Sequence, residues 1–168
     1  MLRGKIHKYA VDNIDTDRII PARHCITIDP EKLAAHCLED LDPEFASKVK
    51  EGEILVVGEN FGCGSSRENA PIAIKGAGIS AVVAKSFARI FYRNSINIGL
   101  PIFESPEAVD EIKADDIISL DISTGRILIE SSKKEFNSAP FPKMMQDIIA
   151  KGGMVNYLKS KDSQVTDE

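Results

Sequence analysis

The chain has 168 residues, enough for one domain with a proper core and too few for two comfortable ones. Hydrophobic residues make up 43% and charged ones 28%, the balance of a soluble globular protein, and no apolar run reaches membrane-spanning length. A formal net charge of −5 argues against nucleic acid or an anionic membrane as a partner, while leaving room for a local basic pocket and a small anionic substrate.

The opening GKIHKYAVDNIDTD alternates as a short strand and runs into a turn rich in Asp and Asn; its basic residues precede no apolar stretch, so no signal peptide is read. IIPARHCITIDP is expected to be a loop pinned by Pro21 and Pro30. Asp29 reads as an N-cap with Pro30 at the first helical position, opening the helix PEKLAAHCLEDL, whose Leu33, Ala34, Cys37 and Leu38 share a buried face. Ile54 to Val57 reads as a strand buried on both faces, followed by the glycine-rich FGCGSSRE. NAPIAIKGAG predicts a short helix, ISAVVAKSF a second buried strand, ARIFYRNSINIGL a helix ending at Gly99, and LPIFES a third strand. DIISLDISTGRILIES predicts a hairpin turning at Ser123-Thr124-Gly125, and PFPKMMQDIIAKGG a final amphipathic helix. MVNYLKSK follows as a short segment. The single domain is therefore expected over 1–160, with 161–168 a polar, frayed tail. Strand, glycine turn, helix, strand, helix, strand implies an α/β fold with a parallel sheet, and ligands then meet the carboxyl ends of its strands.

Gly62-Cys63-Gly64-Ser65-Ser66-Arg67 lies at such an end. Its glycines permit positive φ and close approach to a ligand. Two hydroxyls and a guanidinium stand ahead of a helix N-terminus, where free N–H groups favour an anion, and Arg67 can fork onto a carboxylate. A Walker loop would need a lysine, a dinucleotide fingerprint a third glycine at Arg67, and a nucleophile elbow a glycine two places after Ser65. On spacing alone, a carboxylate-binding turn and a plain turn whose serines cap the helix both remain open.

GENFGCGSSRENAP, AVVAKSFARIFYRNSINIGLP and NIDTDRIIPAR together resemble the mobile domain of the aconitase superfamily, most closely the stand-alone small subunits of isopropylmalate isomerase and homoaconitase. The resemblance implies a swivelling domain, three-layer β/β/α with a mostly parallel central sheet, and a chain length suited to an isolated small subunit. It implies Ser65 as base, Ser66 as a hydrogen-bonding neighbour and Arg67 as carboxylate clamp, with Thr16 and Asp17 in support, Asp17 orienting Arg67. Gly62 and Gly64 shape the turn. Asn69 stands where many relatives carry a histidine, so no role of that histidine transfers. The implied reaction is dehydration and rehydration of a 2-hydroxy dicarboxylic acid, completed by a large subunit (heterodimer or heterotetramer) whose 4Fe-4S cluster is the Lewis acid.

In homoaconitases the loop after Arg23 resembles Tyr-Leu-Arg-Thr, whose arginine grips an extra carboxylate. Here it reads His24-Cys25-Ile26-Thr27. Ile26 cannot pair with a carboxylate and suits an alkyl branch, so Arg23, Ile26 and Thr27 are substrate-side candidates. 2-Isopropylmalate going to 3-isopropylmalate comes first, then citramalate or dimethylmalate, with homoaconitate as a further alternative.

Cys25, Cys37 and Cys63 form no CxxC pair, so a reducing cytoplasm is expected and neither a disulfide framework nor a metal held by this chain. His24 and His36 each precede a cysteine, but the separation fits no familiar zinc spacing. Lys85, Arg89 and Arg93 face substrate, partner or solvent; Met144 and Met145 read as core or interface filler. The rival reading is a non-catalytic carboxylate-binding module, against which stands the grouping of Ser65, Ser66 and Arg67, which a scaffold does not need.

Overall fold

The computed structural model describes residues 1–165. The chain opens on β1 (Leu2–Tyr9), the short helix α1 (Thr16–Ile19), a 3-10 turn (Ala22–His24), α2 (Pro30–Ala34) and α3 (Phe45–Lys48). Then come β2 (Ile54–Val57), α4 (Asn69–Gly76), β3 (Ala81–Ala84), α5 (Arg89–Asn97), β4 (Ile102–Glu104) and α6 (Pro106–Glu111). β5 (Ile117–Leu120), β6 (Arg126–Ile129), β7 (Lys134–Asn137), α7 (Lys143–Ala150) and α8 (Met154–Val165) complete it. The sheet has seven strands in the order β4-β3-β2-β1-β5-β6-β7. The first four are parallel, as the βαβ pattern predicts, and the rest form an antiparallel extension.

β1 joins the two halves because it serves both. Leu2 to Lys5 pair with β5, and Ile6 to Tyr9 pair with β2. Every residue of β2 and β3 is buried, whereas β5 and β6 alternate, since only one face of the antiparallel half is covered. Each large aliphatic of β2 removes enough apolar area from water to favour folding by about 1.5–3 kcal/mol. Helix α6 packs against both β3 and β7, while Lys8 reaches across to the carbonyls of Val109 and Ile112 at 2.7 and 2.6 Å. The α/β layered architecture expected above is the one observed.

Three expectations are corrected. The helix from Pro30 ends at Ala34 and continues only as separate turns, because Leu38 takes a φ of 56° and gives its N–H to Ile19 at 2.8 Å. The loop pinned by Pro21 and Pro30 contains a 3-10 turn over Ala22–His24, entered from α1, whose N-cap Asp15 accepts the Arg18 N–H in the Asp-rich turn before it. Residues 161–165, expected to fray, continue α8, and 166–168 of that tail lie outside the described residues. Among the described residues, no helix is long and apolar enough to cross a membrane.

Candidate active site

The segments after β1 and β2 continue side by side beyond the strands. Gly62 N–H donates to Ile14, Thr16 N–H to Cys63, and Asp15 bridges Cys63 in the same offset that pairs Ile6 with Ile54. Parallel register therefore brings Thr16 and Asp17 to the glycine turn from far away in sequence. The Thr16 hydroxyl donates to the Ser65 carbonyl at 3.0 Å, fixing the backbone of the proposed base. Arg67 Nη1 donates to Asp17 Oδ1 at 3.1 Å, and the same oxygen accepts the Ala22 N–H at 3.0 Å. The Ala22 N–H first, and then Arg67, hold the Asp17 carboxyl below its usual range.

The turn sits on an aromatic platform. Phe61 meets Phe91 edge to face at 5.1 Å, and Phe87 stacks on Phe91 at 6.0 Å. Gly62, at φ 79°, lies so close that a Cβ there would come within 2.2 Å of the Phe91 ring. Gly64, at φ 90°, would place a Cβ no nearer than 3.5 Å to anything. One glycine is required by both space and backbone, the other by backbone alone.

Ser65 and Ser66 are exposed, and among the described residues their hydroxyls have no hydrogen-bond partner. They do not cap α4: its N-cap is Glu68, with no side-chain capping bond. The reading in which the serines merely cap a helix therefore loses its physical basis. Arg67 is half-buried and aimed by Asp17, with a guanidinium edge left for a carboxylate.

The loop carrying Ile26 and Thr27 is tied to this turn by a residue the sequence did not single out for the purpose. Asn69 Nδ2 donates to the Thr27 carbonyl at 2.7 Å, while the Thr27 hydroxyl accepts the Asp29 N–H at 3.0 Å. No local pattern signals that contact, since it spans 42 residues. Ile26 projects into solvent at 92% exposure and Ile28 at 76%. Arg23 is not drawn to the turn; it is committed to Glu39 at 2.5 Å and Asp40 at 2.8 Å. Lys85 pairs with Asp110, whereas Arg89 and Arg93 line a groove of about 410 Å³ with Met144 and Met145. That groove includes none of the turn residues.

The three cysteines do not converge as a cluster set. Cys37 is fully buried, which pushes its thiol pKa up, Cys25 Sγ faces the Ile20 and Pro21 carbonyls, and Cys63 lies between the two glycines.

Residues 1–107 match the family described as aconitase C-terminal domain. The chain is 62% identical, over 95% of its own length and 99% of the relative's, to the 3-isopropylmalate dehydratase small subunit of Caldanaerobacter subterraneus subsp. tengcongensis. It is 54% identical, over 95% and 98%, to the 2,3-dimethylmalate dehydratase small subunit of Eubacterium barkeri. A crystal structure of 3-isopropylmalate dehydratase from Methanocaldococcus jannaschii superposes with a TM-score of 0.91 at 48% identity, covering 99% of this chain and 98% of that one.

Proposed function

Because the chain belongs to the aconitase C-terminal domain family, we propose that it is the small subunit of a two-subunit hydro-lyase that converts 2-isopropylmalate to 3-isopropylmalate in leucine biosynthesis. The observation that carries this reading is half an active site on open surface: two unpartnered serines beside an arginine braced by Asp17. A serine hydroxyl is a very poor base, and its alkoxide needs fixed donors and the exclusion of water. On this chain alone Ser65 is bathed in solvent, so a second polypeptide must close over it. That partner is the large subunit, and its 4Fe-4S cluster supplies Lewis acidity at the substrate hydroxyl.

In the closed site Arg67 grips one substrate carboxylate with two parallel hydrogen bonds, held in aim by Asp17. Ser65 then takes a proton from the substrate's CH2 carbon as the hydroxyl leaves the adjacent carbon as water. In rehydration it delivers a proton to the carbon that had carried the hydroxyl while water adds its hydroxyl to the former CH2 carbon, with Ser66 hydrogen-bonding beside it. The alkyl branch of the substrate lies against Ile26, with Thr27 at the same end of the cleft. The three free thiols suit a reducing cytoplasm. A second reading, dehydration of 2,3-dimethylmalate, is favoured by the Eubacterium relative, whose named substrate also carries alkyl branches.

Co-expression with a large-subunit candidate encoded nearby tests the proposal. A brown complex that hydrates isopropylmaleate is expected, and Ser65→Ala should lower kcat by at least about 100-fold without disturbing assembly. A variant that keeps most of its turnover would remove Ser65 from the role of base.

A further inference from the structure

His24, His36 and Glu39 take no part in the chemistry above, yet the fold draws them together. His24 ends the 3-10 turn, its N–H bonded to Pro21, immediately before the Ile26 loop. His36 and Glu39 lie one helical turn apart after α2, so they project to the same side. The two imidazoles stack at 3.6 Å with planes 5° apart. His24 Nε2 lies 2.6 Å from one Glu39 oxygen, and His36 Nδ1 lies 2.7 Å from the other. All three ligand atoms fall within 4.8 Å of one another. Spacing relative to the cysteines misses this group, because its third member is a carboxylate rather than a thiol.

We propose that His24, His36 and Glu39 form a binding site for one divalent transition-metal ion of the zinc class. Two imidazole nitrogens and a carboxylate oxygen are the donor types such an ion takes, at about 2.0–2.2 Å from the metal. From their present positions the rings need only tilt out of the stack so that their lone pairs meet. Each then keeps its proton on the nitrogen turned away, Nδ1 in His24 and Nε2 in His36. Among the described residues the cation that competes for Glu39 is Arg23, which already contacts Asp40 at 2.8 Å and can shift to it entirely. Water fills the remaining coordination, since Cys25 Sγ faces the Ile20 and Pro21 carbonyls and Cys37 is fully buried in the core. The bound ion would pin the root of the Ile26 loop to the segment that follows α2.

Chelator-stripped, tag-free full-length chain titrated with cobalt(II), and then competed with zinc(II), tests this. One equivalent should bind with visible d–d absorption. His24→Gln, His36→Gln and Glu39→Gln should each weaken it at least as much as the about 10- to 100-fold that loss of a supporting partner costs elsewhere. His7→Gln, which alters the one other histidine and its contact with Glu53, and Cys63→Ser should leave it unchanged. Two-dimensional NMR of the unsubstituted chain needs no variant: zinc should shift the ring signals of His24 and His36 and spare those of His7. Absence of any spectral change up to about 1 mM cobalt, the weak end of ordinary affinity, would overturn the proposal. So would binding that follows Cys63 or His7 instead.

Discussion

Gly62→Ala isolates what the glycine turn contributes to the fold. An alanine at φ 79° sits in the left-handed region, which costs about 1–2 kcal/mol. Its Cβ would also meet Phe91 at 2.2 Å from the ring and 2.4 Å from the Phe91 Cβ. Phe91 is 2% exposed and held by Phe61 and Phe87, so it has little room to retreat, and overpacking adds about 1–3 kcal/mol. The combined loss of about 2–5 kcal/mol corresponds to a fall in melting temperature of about 4–20 °C for a chain of this size. Gly64→Ala is the internal comparison. It carries the same backbone penalty with no collision, and should lose only about 2–8 °C. Circular dichroism melts of the isolated chain measure both. Equal losses in the two variants would refute the claim that the Phe91 platform, and not only the backbone, demands a glycine at 62.

Further outcomes follow from the same geometry. Asp17 should titrate below its ordinary value of 3.8; its pairing is then fully present above that pH and lost as the pH falls through the lower folded-state value. Carbon-13 NMR of the carboxyl reads this, and Arg67→Gln should raise the midpoint only in part, because the Ala22 N–H is the larger cause; a midpoint at or above the ordinary value contradicts the contact. Asn69→Ala removes the hydrogen bond to Thr27, worth about 0.5–1.5 kcal/mol, and should speed amide exchange in the 25–29 loop by up to about tenfold. Unchanged exchange would mean that Asn69 does not hold the loop. Ile26→Arg should leave the melting temperature nearly unmoved, since Ile26 is 92% exposed, while shifting the reconstituted enzyme towards substrates with a third carboxylate. If substrate preference does not change, Ile26 does not read the substrate branch.

Elements whose signals are local are legible in the sequence. Ile54 to Val57 and Ala81 to Ala84 lie within continuous apolar stretches, and both are buried strands. The Asp29–Pro30 cap, the Ser123-Thr124-Gly125 hairpin and the helix ending near Gly99 are equally where the residue types place them. Helix α6 carries a local start signal as well, Ser105 as cap before Pro106. β7 carries no such signal, as its Lys134 to Asn137 are almost wholly exposed and pair with β6 only because the hairpin leads them there.

Sequence alone determined which residues form the turn, because glycines, hydroxyls and a guanidinium in one short run are a local property of the chain. Tertiary structure decided what stands beside it. The parallel register of β1 and β2 delivers Asp17 to Arg67, and the start of α4 delivers Asn69 to Thr27. It likewise turned Arg23 away towards Glu39 and Asp40 and gathered two histidines around one carboxylate. Apart from His36 and Glu39, one helical turn apart, these contacts join residues well separated in sequence through strand pairing and helix packing, and propensity and spacing within one segment carry no information about such meetings.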